Sequence, residues 1–280
     1  MILTIHPETM RVAAYLGFWS MVLLAIIVTS VAVDVDMNTT PLIETFGYNN
    51  ICIYWDYSPA REIAAMFYPI VEYPLVAYVV LTFLQYKASV EKGLVPTWFY
   101  RLSMVIMSVQ LVLFAWFRMI FVIEAFGDVV GHTMGFLGLQ LGLVLNSLHN
   151  AIYNHILGTS LDSMAGLQWT RIGTRGTRIL FWCYVVLLTV VTTIKLAHTM
   201  TLFAGSPFVD TTTPSGARFA QSMDLLWMLL AAVLPLPLAV AQRISEPGLQ
   251  FEMSIYDAIS RNAVVPIQTT STGHEEAARP

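Results

Sequence analysis

Four ionisable side chains, Arg118, Glu124, Asp128 and His132, fall in the segment FRMIFVIEAFGDVVGH, with long apolar runs on either side. A charge at the centre of a bilayer costs roughly 2.5–3.5 kcal/mol on insertion scales, so charges kept between apolar runs pair with one another or line a polar path. If helix continues through the turn, Glu124, Asp128 and His132 follow at i, i+4 and i+8 and share a face. Oxygen and nitrogen ligands in that arrangement suit a divalent metal. A tight turn with solvated carboxylates, allowed by Gly127 and Gly131, accounts for the same residues. Arg118 cannot shed its charge, so it is expected to pair with Glu72 or Glu124 and to tie the second, third and fourth apolar runs together.

Further polar groups lie at comparable depth. Glu72 sits between Pro69 and Pro74 in YPIVEYP. Each proline removes a backbone donor and crowds the preceding turn, which predicts a kinked or opened helix. Opened helices in transporters expose carbonyls that coordinate cations beside a carboxylate. The structural alternative is a kinked helix whose Glu72 is protonated or hydrogen-bonded. Lys195 and His198 fall inside the fifth apolar run, Lys195 about 25 Å from its start at the helical rise, and Lys195 is expected to snorkel outward or to pair with Glu72 or Glu124. Asp224 opens the sixth run.

Glu72, Arg118, Glu124, His132, Lys195, His198 and Asp224 therefore make one candidate polar cluster. Carboxylates and histidines in such a mixture suit a proton relay or cation path, and the same groups also suit a purely structural ion-paired network. His132 and His198, on successive runs, are the one pair placed for a bis-histidine b-type haem or a pigment. No phosphate loop, nucleophile elbow or HExxH is present, so no enzyme motif supports a catalytic reading and the cofactor is left open.

The elements that must position these groups are membrane helices. The 280 residues are 56% hydrophobic and 11% charged, with mean hydropathy +0.66. Apolar runs fall at about 12–33, 64–85, 99–123, 133–156, 179–203 and 220–241, each near the 20 residues a spanning helix needs. The fold predicted is all-α: a six-helix transmembrane domain over residues 1–245 with an outer loop between the first two helices. A tail, 246–280, follows, with a short surface helix near 250–261 and disorder beyond. The first run is too long for a signal-peptide core and reads as a retained span. The prolines in the second and sixth runs (LPLPL in the latter) do not correspond in a 3+3 arrangement, and no internal repeat is found.

Lys87, Lys92 and Arg101, and then Arg171, Arg175 and Arg178, occupy the loops after the second and fourth runs, which places those loops and both termini on the cytoplasmic-type side. The outer loop carries Asp34, Asp36, Glu44, Asp56 and Glu62 against Arg61, an acidic stretch expected to lie along the membrane surface, and Asn38-Thr39-Thr40 forms a glycosylation sequon. Tyr54, Trp55 and Tyr57 read as interfacial aromatics. Cys52 and Cys183 fall on opposite sides and are expected to stay unpaired.

In the fourth run Gly138, Gly142, Asn146, Asn150 and Asn154 recur every four residues, with Gln140 in the same half. Small residues admit a close neighbour and asparagines bond across the contact, so this face packs against another helix, either within the chain or on another membrane subunit or a second copy. The lipid bilayer is the one partner that composition requires. The net charge of −4 with no basic block excludes nucleic acid.

Overall fold

Six helical stretches are long and apolar enough to cross a membrane: Pro7–Ala32, Ala60–Glu91, Thr97–Val122, Val129–Thr159, Arg178–Phe203 and Pro214–Val240. They coincide with the six expected runs and make the chain an integral multi-pass membrane protein. The computed structural model describes residues 2–162, 175–245 and 249–252. In chain order the helices are α1 (Pro7–Ala32), α2 (Pro41–Phe46), a 3-10 turn (Ile51–Trp55), α3 (Ala60–Phe67), α4 (Pro69–Glu91), α5 (Thr97–Trp116), α6 (Met119–Val122), α7 (Val129–Asp162), α8 (Arg175–Phe203), α9 (Pro214–Met228), a π turn (Leu229–Val233) and α10 (Pro235–Ser245).

Residues 6–249 form one unit. In it α1 packs on α4, α4 on α5, α5 on α7, α7 on α8 and α8 on α9, while α10 returns to α1. The spans thus close a ring in chain order. In the second unit, made by the chain ends, strand β1 (Ile2–Ile5) pairs with β2 (Leu249–Glu252). Leu249–Glu252 is therefore strand where the start of a surface helix is expected; the alternation Leu-Gln-Phe-Glu fits the two-residue period of a strand. The rest of the expected tail helix and disorder lies outside the described residues.

The second span, where a kink or an opening is expected, is interrupted at Tyr68, between α3 and α4. It does not open: Tyr68 N–H bonds to Ala64 O at 2.8 Å and Glu72 N–H to Tyr68 O at 3.0 Å. In the sixth span the irregularity lies one turn before the prolines. Leu234 N–H bonds five residues back to Leu229 O at 2.9 Å, and since Pro235 has no N–H, the Leu230 carbonyl loses its partner in either register. Two side chains fill these gaps: Tyr184 Oη–H donates to Leu230 O at 2.9 Å and Trp19 Nε1–H to Ala232 O at 3.0 Å. The broken span is thereby tied to α8 and α1, with those carbonyls used by protein donors.

The glycine face of α7 is filled within the chain. A Cβ on Gly138 would lie 2.9 Å from Leu113 O, one on Gly142 2.5 Å from Phe114 Cε1, and one on Gly135 2.6 Å from Ile120 Cγ2. Gln110 on α5 donates to Asn146 at 3.4 Å, Asn150 donates to Tyr78 on α4 at 2.8 Å, and Tyr86 donates to Asn150. The Gly138, Gly142, Asn146, Asn150 stripe is thus the seat of α4 and α5, so its use by another subunit is corrected: the close approach it permits is already occupied.

Candidate functional site

The loop between α1 and α3 is the lid of the site. Thr40 caps α2 by accepting Ile43 N–H at 3.2 Å, and Gly47, at φ 78, ends α2 in a left-handed turn. A side chain at Gly47 would meet Thr211 O at 2.6 Å, so the loop is held against the α8–α9 connection. Leu42, Phe46 and Ile53 pack with Val129, Leu202 and Phe203, and Trp55, almost wholly buried, packs with Tyr68, Phe117 and Phe136. This loop differs from the expected surface-lying segment because its apolar side chains, with those aromatics, turn onto the end of the ring. The acids Asp34, Asp36, Glu44 and Glu62 remain exposed.

Beneath the lid is a cavity of about 430 Å³. Its wall comes from α1, the lid, α4, α7, α8 and the α9–π segment, and is chiefly carbon: Phe18, Trp19, Trp55, Leu75, Phe136 and Trp227 are typical. Four members of the expected cluster, His132, Lys195, His198 and Asp224, border it, as does Gln140. Lys195 is ion-paired with Asp224 and its ammonium lies 4.8 Å from the centre of the Trp227 ring. The partner of Lys195 is therefore Asp224 on the adjacent helix, in place of Glu72 or Glu124. His198 is 7% exposed, and neither of its ring nitrogens has a hydrogen-bonding partner among the described residues.

Glu72, Arg118 and Glu124 stand apart from this wall. Arg118 pairs with Glu72, one of its two expected partners, and links α4 to the α5–α6 junction, so the tie spans the second and third runs and not the fourth. Glu124 pairs with Arg61 at 2.5 Å, which α3 brings over the α6–α7 turn. Asp128 turns back to accept Gly131 N–H at 2.8 Å. His132 Nδ1 lies 2.8 Å from Ile123 O, and its Nε2 is 3.2 Å from Asp56 Oδ1. Glu124, Asp128 and His132 do not converge, because the turn between α6 and α7 is not helical and aims each at a different partner. No group of three or more potential ligands among the described residues could hold a metal ion. A bis-histidine haem fits poorly as well, since both His132 nitrogens face oxygen atoms already present.

Asp56 is the member of this site that sequence reasoning left among the loop acids. It is 4% exposed, and burial pushes its carboxyl up to about 7, against a smaller downward pull from the Arg61 charge. Burial, then the Asp56 and Asp224 charges, raise the Cys52 thiol well above its usual range, which keeps it an unreactive thiol. Cys52 and Cys183 are both free. Gln140 and Trp55 border the cavity, and Oε1 of the first and Nε1 of the second are buried with no hydrogen-bonding partner among the described residues. Nothing in the sequence marks those atoms. Compared with protein-family models, with curated proteins and with solved structures, the chain matches none.

Proposed function

We propose that this membrane protein binds a small lipid-soluble molecule in the cavity beneath the 33–59 loop, and that any transport it performs is of that molecule. The observation that carries the reading is the character of the wall: about 430 Å³ bounded mainly by aromatic and aliphatic side chains, with a few inward polar groups. That composition and size suit small-molecule sites, which run from roughly 300 to 1,000 Å³. A hydrated ion would need oxygen and nitrogen atoms along its route. Saturable binding of an apolar fluorescent probe to the purified chain in lipid nanodiscs tests the reading, with Leu139→Trp, which fills the cavity, as the comparison. Binding that is not saturable, or that Leu139→Trp leaves unchanged, would refute it.

A second reading, passage of protons or a small cation, rests on two pairs, Lys195 with Asp224, both bordering the cavity, and Asp56 with His132, of which His132 borders it. It requires that vesicles containing the chain dissipate a pH gradient and that Asp224→Asn stops them. On this reading Glu72→Gln also removes proton coupling. On the ligand reading Glu72→Gln leaves probe binding intact, because Glu72 does not border the cavity. The Gly/Asn face of α7 gives no support to a role as a non-catalytic subunit of a larger complex, being occupied by the chain's own helices.

A further inference from the structure

Resting on the ligand reading above, we infer that the molecule taken into the cavity carries a neutral hydroxyl, the head of a lipophilic alcohol, and that His198 is the residue that selects it. Besides His132, whose Nε2 faces Asp56 Oδ1 at 3.2 Å, three buried side chains on this cavity have polar atoms with no hydrogen-bonding partner among the described residues: Nδ1 and Nε2 of His198, Oε1 of Gln140 and Nε1 of Trp55. Their chemistry is complementary in kind. A neutral imidazole offers one donor and one acceptor, the glutamine oxygen accepts, and the indole N–H donates. A buried polar atom left unmatched costs about 1–3 kcal/mol, so a ligand head that both donates and accepts is favoured over one that does only one. A hydroxyl does both with a single atom. An ether or ketone cannot satisfy Gln140, and an apolar head satisfies none of the three.

Charge narrows the class further. The cation and the carboxylate on this wall, Lys195 and Asp224, are already paired with each other. An ionised carboxylate or ammonium head would enter a mostly apolar chamber with no unmatched counter-charge, at a large desolvation cost. A neutral alcohol on a hydrocarbon body avoids that cost, and its body meets the carbon wall formed by residues such as Phe136 and Trp227.

The test uses the chain in nanodiscs and four probes sharing one bromine-tagged hydrocarbon: dodecanol, its methyl ether, dodecanoate and dodecylammonium. Trp19, Trp55 and Trp227 border the cavity, so bromine bound there quenches their fluorescence in a saturable step above the background from probe dissolved in lipid. Dodecanol is expected to saturate at a concentration about tenfold below that of the ether, the equivalent of about 1.4 kcal/mol, with both ionised probes weaker still. His198→Phe, of similar ring size and checked for folding by thermal unfolding, should bring dodecanol to the level of the ether. Saturation by all four at one concentration, or preference for an ionised probe, overturns the hydroxyl assignment and leaves the cavity a ligand site. Saturation by none overturns the ligand reading and this inference with it. Should His198→Phe fail to fold, the four probes on the unaltered chain decide the question of the head group by themselves.

Discussion

Arg118 grips the Glu72 carboxylate from one side: Nε lies 2.8 Å from Oε1 and 3.0 Å from Oε2, and a terminal nitrogen lies 2.6 Å from Oε2. The two residues are unequally placed. The Glu72 side chain is 5% exposed and that of Arg118 57%, so the carboxylate is the group that depends on the pair. Arg118→Ala would leave the buried Glu72 side chain without its counter-ion. The expected result is a marked fall in unfolding temperature in detergent, partly reversed by adding Glu72→Gln. A double-mutant cycle should find coupling with Glu72 and none with Glu124; the opposite pattern would show that the pair is not formed.

Alanine in place of a helical glycine ordinarily favours the helix by up to about 1 kcal/mol. At position 142 the sign should reverse. The new Cβ would lie 2.5 Å from Phe114 Cε1, and Phe114 is itself fully buried, so the ring has nowhere to go. Gly142→Ala is expected to destabilise by about 1–3 kcal/mol, the usual cost of overpacking. Adding Phe114→Leu should return part of the loss. A Gly142→Ala chain as stable as the original would mean that α5 and α7 are not in contact there.

How far these relationships were legible in the sequence depends on what each requires. Spans follow from composition summed over about 20 residues, and 179–203 and 99–123 were readable to within a few positions of Arg178–Phe203 and Thr97–Val122. That Arg118 needs an acid followed from its permanent charge, but which acid depends on how each helix is rotated about its axis. The pairing of Glu124 with Arg61 and of Lys195 with Asp224 turns on that same rotation, which hydropathy does not encode. LPLPL announced an irregular span, yet the π turn lies before it because a missing N–H is felt at carbonyls four or five residues earlier. The lid was hidden for a different reason. Tyr54, Trp55 and Tyr57 have the composition of membrane-interface aromatics, and only the fold shows Trp55 turned inward.

Six spans require the turn at 92–96 and the connection at 204–213 to lie on opposite sides of the membrane, and the positive-inside rule predicts the cytoplasmic-type side for the first. In a background with Cys52 and Cys183 changed to Ala, Lys92→Cys and Thr212→Cys should react with a membrane-impermeant maleimide from opposite faces. Reaction of both from the same face would break the six-span topology.

Asp56 gives the lid a pH dependence of definite sign. Folded, it keeps its proton up to about 7; unfolded, it releases it near the ordinary value of 3.8. Between those values the folded chain binds more protons than the unfolded one. Stability therefore falls as pH rises through this window, by up to about 1.4 kcal/mol per unit, and levels off above it. Asp56→Asn, which keeps size and loses the titration, should flatten the difference in unfolding temperature between about pH 5 and about pH 7. An Asp56→Asn chain with the original slope would assign the dependence to other groups.

The π turn makes the last prediction, because it accounts for two distant side chains at once. Leu234 N–H is spent on Leu229 O and Pro235 has none to give, so Leu230 O relies on the Tyr184 hydroxyl, while Ala232 O accepts from the Trp19 indole. Tyr184→Phe removes one donor with little change of shape. It is expected to cost about 1–3 kcal/mol, the penalty for a buried acceptor left unmatched, read as a lower unfolding temperature. The same substitution made with Pro235→Ala should cost less, because residue 235 then carries an N–H that the carbonyls of the preceding turn can use. Were Tyr184→Phe equally costly in both backgrounds, the tyrosine would be acting through packing alone and the proline would not be the origin of the turn. Because Ala231, Ala232 and Val233 of this turn border the cavity as well, the rescued double variant should also change the saturable step in probe binding, while Tyr184→Phe alone leaves the preference for the alcohol head in place.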